Sequence, residues 1–416
     1  MRIRAATLAA GLALLAAAPT AHADSPPATT GARVTLPAPT GPDRIGTVSL
    51  HLIDRSRPDP WQAGSTQREL MVSVWYPARH TQRYPLARQM ESGAAAGFDQ
   101  GNTTGIPAGK VDWAATRTHA HLDAPVRPGP HPVVLYSPGA GDPRTWGTAL
   151  VEQLASHGYV VVTIDHPGET FVQFPNGLRG PDALSQAPQS PDPQQWAVFL
   201  HKLVNVREAD TRFVLNELVP LDAGRNPDAE HRPLPAGLTG ALDLARIGMF
   251  GQSAGGFTAL QAMHDDARIR AGINMDGELN FAQEDKPGTP MSTVAIDGLD
   301  RPFMLMGSKP RGRHNPENTS WSLLWKHSNG WHRDLYLTGS AHGSYTDAEA
   351  IVPQLVRKHV IDTSLAAEAI GTVNARRALA ANRAYITAFF DRWLRGCDHG
   401  LLDGPSKKYP DMTFVR

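Results

Sequence analysis

The chain has 416 residues, of which 41% are hydrophobic and 19% charged, and its 40 basic and 40 acidic residues give a formal net charge of zero. A chain of this length can bury a large core, and its neutrality argues against nucleic acid or an anionic surface as the main partner. Cys397 is the single cysteine, which excludes an internal disulfide.

Residues 1–23 have the pattern of a secretory signal peptide. A basic start is followed by an apolar run from Ala5 to Ala18, and Ala21-His-Ala23 supplies a cleavage site. No later apolar run reaches the ~18 residues of a membrane-spanning helix. We therefore expect a secreted, extracellular protein without stable membrane insertion. Residues 24–45, rich in Pro, Ala and Thr, are expected to form a flexible leader.

Residues 46–398 predict one α/β domain with a mostly parallel, doubly wound sheet that begins with antiparallel strands. The predicted antiparallel strands cover 47–53 and 70–76, and the later predicted strands cover 132–136, 159–164, 247–250, 269–275, 302–306 and 334–337. Amphipathic helices separate most of the later strands, as a doubly wound sheet requires. The polar, proline-rich stretch 169–195 is expected to cover part of this domain, and 399–416 is expected to be a C-terminal tail.

The pair His119 and His121 is the most obvious candidate for a metal site. Alternate histidines on a loop without a nearby third ligand more often face solvent than hold zinc. The sequence therefore predicts no metal and no organic cofactor.

The central motif is Gly251-Gln-Ser-Ala-Gly255, which has the G-x-S-x-G pattern of a nucleophile elbow. It follows the apolar strand 247–250, and a helix is predicted from Ala254 onward. Such a turn strains the backbone of the serine and exposes its hydroxyl, while the flanking glycines leave room for neighbouring elements. Ser253 is therefore the predicted nucleophile.

A serine hydroxyl needs a neutral imidazole as base and a carboxylate that orients the imidazole. His342 follows the last predicted parallel strand, and Asp276 directly follows the strand after the elbow. The order Ser, Asp, His along the chain is that of an α/β-hydrolase. Asp300 and Asp347 remain alternatives for the acid.

An acyl-transfer oxyanion needs two backbone N–H donors. Ala254 follows the nucleophile, and Ala140 lies between two glycines in the loop after the first parallel strand. These two residues are the predicted donors.

The chain resembles the plasma-type platelet-activating factor acetylhydrolases and their bacterial relatives, from about Leu70 to Leu394. The resemblance is carried by Val74-Trp-Tyr-Pro77, Pro132-Val-Val-Leu-Tyr-Ser137, Leu154-Ala-Ser-His-Gly-Tyr159, 246–256, Asn274-Met-Asp-Gly277 and Gly339-Ser-Ala-His342. It implies an α/β-hydrolase fold, the triad Ser253, Asp276 and His342, and Ala140 with Ala254 as oxyanion donors. Pro138-Gly139 and Gln252 depart from the family, which has His-Gly and His at these positions, so substrate preference is not transferred.

We therefore expect a secreted serine ester hydrolase that cleaves short-chain acyl esters through an acyl-enzyme, with a role in lipid degradation. One alternative is a lipase or polyesterase acting on longer-chain or polymeric esters. Another is a non-catalytic binding protein on the hydrolase fold, since a fold does not guarantee an activity. The acyl length, the alcohol and the oligomeric state are not determined by the sequence.

Overall fold

The computed structural model describes residues 31–62, 64, 66–102, 105–189, 192–282, 288–308 and 319–415. The predicted signal peptide, residues 1–23, and the start of the predicted leader lie outside these described residues. The strands are β1 (Arg44–Pro58), β2 (Gln67–Ala78), β3 (Leu86–Arg88), β4 (Arg117–Leu122), β5 (His131–Ser137), β6 (Val160–Ile164), β7 (Val172–Phe174), β8 (Gly177–Arg179), β9 (Leu242–Gln252), β10 (Ile269–Met275), β11 (Phe303–Ser308), β12 (His332–Leu337) and β13 (Met412–Phe414).

The α-helices lie between and after these strands, and short 3-10 turns cover Thr81–Arg83, Trp113–Ala115 and His342–Tyr345. The helices are α1 (Ser92–Gly101), α2 (Thr148–Ser156), α3 (Asp182–Ser185), α4 (Pro193–Asp222), α5 (Ala254–Asp265), α6 (Thr293–Asp297), α7 (Thr319–His327), α8 (Ala348–Arg357), α9 (Thr363–Ile370) and α10 (Ala375–Arg395).

Among the described residues, eleven strands form one mixed sheet in the order β13-β12-β11-β10-β9-β5-β6-β2-β1-β4-β3. Six adjacent strands, β12, β11, β10, β9, β5 and β6, run parallel to one another. β2 pairs antiparallel with β6 and with β1, as the sequence predicts for the first strands. The predicted α/β class is therefore confirmed. The carboxyl ends of the parallel strands share one edge of the sheet, which is where such folds place their sites.

Helices cover both faces of the parallel strands, which explains why β6 is buried along its whole length. Side chains of α4 and α5 pack with one face in a single apolar cluster. Side chains of α2 and α10 pack with the opposite face. On α10, the apolar side chains of Leu379, Ile386, Phe389 and Phe390 are buried in this second cluster.

A third apolar cluster joins the start of the described chain to α8 and α9. Val34 and Leu36 are only 3% and 5% exposed and belong to this cluster with Ile351 and Ile370. The backbone N–H of Thr35 donates to the Gln354 side chain over 3.1 Å. The expectation of a flexible leader is therefore wrong for residues 31–43, because alternate apolar side chains insert into the domain.

The predicted C-terminal tail also packs on the domain. β13 pairs antiparallel with β12 and extends the sheet at that edge, and Leu402 is 1% exposed. Residues 402–414 are thus part of the fold rather than an appended tail.

None of the described helices combines the length and the apolarity that crossing a membrane requires.

Candidate active site

The elbow has the geometry that its glycines predict. Ser253 lies between β9 and α5 with φ 56° and ψ −123°, a conformation that strains a residue with a side chain. A Cβ on Gly251 would collide with the backbone of Gly255, and a Cβ on Gly255 would collide with the Ser137 carbonyl. Glycine is therefore required at both positions, because β5 and α5 approach the turn closely.

Asp276 and His342 meet at the carboxyl edge of the sheet, after β10 and β12, which lie one and three strands from the elbow strand β9. Oδ2 of Asp276 lies 2.5 Å from Nδ1 of His342. The Asp276 side chain is fully buried, and that of His342 is 30% exposed. The structure therefore brings together the predicted acid and the predicted base.

Ser308, the last residue of β11, holds the Asp276 carboxylate in place. Its backbone N–H donates to Oδ1 over 2.9 Å and its hydroxyl donates to Oδ2 over 2.8 Å. These donors leave Oδ2 directed at the imidazole. Sequence reasoning missed Ser308, although a serine at the end of the adjacent parallel strand is a signal that could have found it.

The two alternative acids lie elsewhere. The Asp300 side chain is 83% exposed and pairs with Arg301. Asp347 is buried, and its carboxylate accepts the backbone N–H groups of Thr148 and Ala149 at the start of α2. Neither carboxylate contacts His342 in the described structure.

The loop that carries His342 is anchored on both sides. The Tyr345 hydroxyl donates to the Gly307 carbonyl over 2.6 Å, and the Ser344 hydroxyl donates to the Ile370 carbonyl over 2.7 Å. The amide of Asn382 donates to the Ser344 carbonyl over 2.9 Å. The imidazole therefore stands on a fixed turn that is bound directly to the end of α9.

Gln252, the variable residue of the elbow, contacts the base. Its Nε2 lies 3.0 Å from Nε2 of His342 and 3.2 Å from the His342 carbonyl oxygen. A carbonyl oxygen can only accept, so the Gln252 amide donates here, and the imidazole Nε2 is its acceptor. The proton of a neutral His342 is then on Nδ1, facing Asp276, which is the tautomer that a general base requires.

A cavity of about 320 Å³ opens at Ser253 and His342. Its other walls come from the oxyanion loop, from Gly105 and from α9, through Leu365, Glu368 and Ala369. None of the described residues in 169–195 lines it. The stretch that was expected to cover part of the domain forms β7, β8 and α3, and α9 forms a wall of the cavity that the sequence did not predict.

Of the predicted oxyanion donors, Ala140 lines this cavity beside Gly139. Ala254 is the first residue of α5, and helical geometry leaves the N–H at that position without an intrahelical acceptor. The positive end of the helix dipole also favours negative charge there. Both residues therefore lie where an oxyanion beside Ser253 could receive donors.

His119 and His121 each form a hydrogen bond within the domain. They lie on the strand β4 rather than on a loop, and Nδ1 of His119 lies 2.9 Å from the buried Glu152 carboxylate. Nδ1 of His121 donates to the Tyr84 carbonyl over 2.7 Å. Within the described ranges, no group of three His, Cys, Asp or Glu side chains is arranged to hold a metal ion.

The chain is similar to known proteins over most of its length. Residues 30–395 match the family model described as platelet-activating factor acetylhydrolase, isoform II. A probable 1-alkyl-2-acetylglycerophosphocholine esterase of Arthroderma benhamiae is 30% identical, over 91% of this chain and 93% of that protein. The platelet-activating factor acetylhydrolase of Canis lupus familiaris is 23% identical, over 70% of this chain and 67% of its own.

A solved structure of a ferulic acid esterase from Streptomyces cinnamoneus superposes with a TM-score of 0.71 at 34% identity. The match covers 92% of this chain and 99% of that one. The resemblance predicted from the sequence motifs is thus confirmed. The chain belongs to the platelet-activating factor acetylhydrolase family of isoform II type, and it is a carboxylic ester hydrolase with an α/β-hydrolase fold.

Proposed function

We propose that Ser253, His342 and Asp276 are the catalytic triad of a secreted esterase for short-chain acyl esters. The observation that carries this proposal is the 2.5 Å contact of Asp276 with Nδ1 of His342, at the same edge of the sheet as an elbow serine at φ 56°. The contact directs the imidazole so that its other nitrogen is the proton acceptor. The strained turn presents the Ser253 hydroxyl in the same cavity.

Acylation begins when Ser253 Oγ attacks the ester carbonyl carbon and its proton passes to Nε2 of His342. The Gln252 amide must release Nε2 at this step, because the same lone pair accepts both its N–H and the serine proton. The N–H groups of Ala140 and Ala254 stabilise the oxyanion, and Asp276 stabilises the imidazolium. Collapse of the intermediate transfers the proton to the leaving alcohol and leaves an acyl-serine.

Deacylation repeats these steps with water as the nucleophile. His342 takes a proton from the water, the same N–H groups bind the second oxyanion, and the proton returns to Ser253 Oγ as the carboxylic acid leaves. The triad returns to its starting protonation state, so each step balances without a metal or organic cofactor.

The size of the cavity supports a short acyl group. Its volume of about 320 Å³ is at the low end of the ~300–1,000 Å³ typical of ligand pockets. The cavity is bounded by α9 and Gly105 as well as by the oxyanion loop and Ser253. A long acyl chain would require these elements to separate.

A bulkier aromatic acyl group is the second candidate. It is favoured by the similarity to a ferulic acid esterase over nearly the whole of both chains. The name of the fungal relative suggests a third test substrate, a 1-alkyl-2-acetylglycerophosphocholine. Rates on p-nitrophenyl acetate, methyl ferulate and this phospholipid would separate these classes.

A fluorophosphonate probe tests the triad and excludes a non-catalytic binding protein. We expect wild-type protein to be labelled at Ser253 and to hydrolyse p-nitrophenyl acetate. Ser253→Ala should show neither reaction at an unchanged Tm, with a rate loss of about 10⁴-fold or more. Turnover of the variant within tenfold of wild type would refute the assignment of Ser253.

Export is proposed from the basic and apolar pattern of residues 1–23. Protein recovered from the culture medium should begin at Asp24. Retention of residues 1–23 on the recovered protein would contradict this proposal.

A further inference from the structure

Arg207 of α4 lies directly behind the loop that carries Ala140. It is fully buried, and its guanidinium donates to the Pro138 carbonyl over 2.8 Å and to the Gly139 carbonyl over 3.2 Å. A third bond, of 3.3 Å, reaches the Ser137 hydroxyl. One buried cation thus binds three consecutive residues of the oxyanion loop.

The direction of these carbonyls fixes the direction of the Ala140 N–H. The C=O of Gly139 and the N–H of Ala140 belong to the same peptide group, which is planar and trans, so they point in opposite directions. Because Arg207 holds the carbonyl on the α4 side, the N–H of Ala140 points away from α4. Ala140 lines the cavity at Ser253, so an N–H that points away from α4 can face the acyl site.

The glycine before Ala140 allows the same arrangement. A Cβ on Gly139 would lie 2.6 Å from Oε1 of Gln252 and 2.8 Å from Oδ2 of Asp142. The loop therefore runs close to the elbow, where a small rotation of the 139–140 peptide would turn the donor away from the substrate.

Glu169 and the buried Ser137 hydroxyl hold the Arg207 guanidinium in place. The Glu169 carboxylate binds it at two points, Nε over 2.8 Å and Nη2 over 2.6 Å. The Ser137 hydroxyl also contacts Nε2 of His166 over 2.9 Å, and Nδ1 of His166 lies 3.1 Å from Asp210. Burial lowers the pKa of His166, so its neutral imidazole can accept from Ser137 and donate to Asp210.

Ser137, His166 and Asp210 thus form a second hydrogen-bonded Ser-His-Asp chain. All three are at most 2% exposed, so substrate does not reach the Ser137 hydroxyl. Arg207 donates to the Ser137 hydroxyl, which donates to His166, which in turn donates to Asp210. Arg68 also donates to Asp210, over 2.7 Å. These three residues are of the same types as a catalytic triad, but they lie behind the oxyanion loop, where they support it.

We propose that Arg207 is a positioning residue for the oxyanion hole, acting through the Pro138 and Gly139 carbonyls to aim the Ala140 N–H. The proposal rests on the proposed function of Ala140. Glu169 and the buried Ser137-His166-Asp210 chain hold the guanidinium in the required orientation. Without Arg207 the Gly139 carbonyl keeps, among the described residues, only the Asp142 N–H, at 3.2 Å, and the Pro138 carbonyl loses its bond to the guanidinium, so the peptide that carries the Ala140 donor is less firmly held.

The test compares Arg207→Lys with a matched control, Arg383→Lys. Arg383 is also a buried arginine that donates to three backbone carbonyls, those of Ala149, Ala38 and Pro37, but it lies outside the cavity at Ser253. Each variant is assayed for Tm, for kcat and KM on p-nitrophenyl acetate, and for inhibition by a trifluoromethyl ketone and the matching methyl ketone. The trifluoromethyl ketone forms a tetrahedral adduct with the nucleophile and places an oxyanion in the hole.

Loss of one oxyanion donor costs about 10²–10³-fold in kcat. We expect Arg207→Lys to lose kcat by at least about tenfold at a KM within about twofold of wild type. Affinity for the trifluoromethyl ketone should fall by a similar factor, while affinity for the methyl ketone stays constant. Arg383→Lys should lower Tm and leave the kinetic and inhibition constants unchanged.

A purely structural role for Arg207 would give a different pattern. Wild-type kcat in Arg207→Lys, an equal kcat loss in Arg383→Lys, or undiminished trifluoromethyl ketone affinity would each overturn the proposal. If Arg207→Lys does not fold, Glu169→Gln replaces it, with the same pattern expected and the same outcomes refuting it. Failure of wild-type enzyme to react with a fluorophosphonate would instead refute the proposed function.

Discussion

Replacing Asp276 by Asn tests the most specific contact of the proposed site. In the wild type, Oδ1 accepts the Ser308 N–H over 2.9 Å, and Oδ2 faces both the Ser308 hydroxyl and Nδ1 of His342. A backbone N–H can only donate, so the amide oxygen of Asn must remain at the Oδ1 position. The NH₂ group then faces the imidazole at the 2.5 Å contact and donates to it.

An imidazole that accepts at Nδ1 carries its proton on Nε2 and cannot take the proton of Ser253. The wrong tautomer lowers kcat by about 10⁴-fold, which corresponds to a loss of about 5 kcal/mol of transition-state stabilisation. The fold should persist, because Asn is nearly isosteric with Asp and its NH₂ can donate to the Ser308 hydroxyl, which reverses the direction of the wild-type bond. We therefore expect an unchanged Tm and a 10⁴-fold lower kcat on p-nitrophenyl acetate.

Asp300→Asn is the matched control, since that side chain is 83% exposed, and it should retain full activity. Asp347→Asn is a control of another kind. Its carboxylate accepts from Gln89, Thr148 and Ala149, so an amide there would place donors against donors and lower Tm. An Asp276→Asn enzyme within tenfold of wild type, or a greater loss per folded molecule in either control, would refute the assignment of the acid.

Three further outcomes are expected. On p-nitrophenyl esters, kcat/KM should be highest from acetyl to butyryl and should be lower for decanoyl. Each methylene that fits a pocket adds ~0.8 kcal/mol of binding, and this cavity has room for few methylenes. A rate that climbs to dodecanoyl would favour the lipase alternative. Activity should survive dialysis against EDTA, and recovery that depends on added Ca²⁺ or Zn²⁺ would contradict this. Burial raises the pKa of Glu349 to about 8, above its value in the unfolded chain, so its contribution to stability is present at acid pH and is lost as pH rises through about 8. Relative to Glu349→Gln, the wild-type Tm should therefore fall between about pH 5 and pH 9, and parallel Tm curves would refute this pKa.

The elbow and the strand ends could be predicted because their signals are local. Glycines two residues before and after Ser253, directly after an apolar strand, are compatible with few local structures other than a nucleophile elbow. Asp276 and His342 then follow from topology, since the residue after each parallel strand lies at the same edge of the sheet. Their contact could be predicted without knowing how distant parts of the chain pack.

The wall formed by α9 could not be predicted in this way. Its small side chains give only a weak amphipathic pattern, and their contact with the cavity depends on packing more than a hundred residues beyond the elbow. The contact of Gln252 with His342 depends on a rotamer, which the sequence does not specify. Composition misled for residues 31–43, where Val34 and Leu36 pack despite many Pro and Thr neighbours.

Arg207 did leave a signal in the sequence. Along α4 the buried positions include Leu203, Val206, Arg207, Asp210 and Val214, so two charged residues fall on the apolar face of the helix. Charges at such positions are almost never fully buried unless they are paired. A search for charged residues at core positions of an amphipathic helix would have selected this site before the structure was known.

The packing of the first described residues against α8 and α9 has a consequence for the order of folding. Thr35 and Gln354 are 319 positions apart, so the segment around Thr35 is synthesised long before the helix that it packs against. Contacts this distant in sequence form late, since a very long loop must close first. A nascent chain that has just passed His342 contains Ser253, Asp276 and His342 but lacks α9, which supplies the cavity wall. Substrate selectivity is therefore acquired after the reactive groups are already in the chain, once α9 has been synthesised and has packed at the cavity.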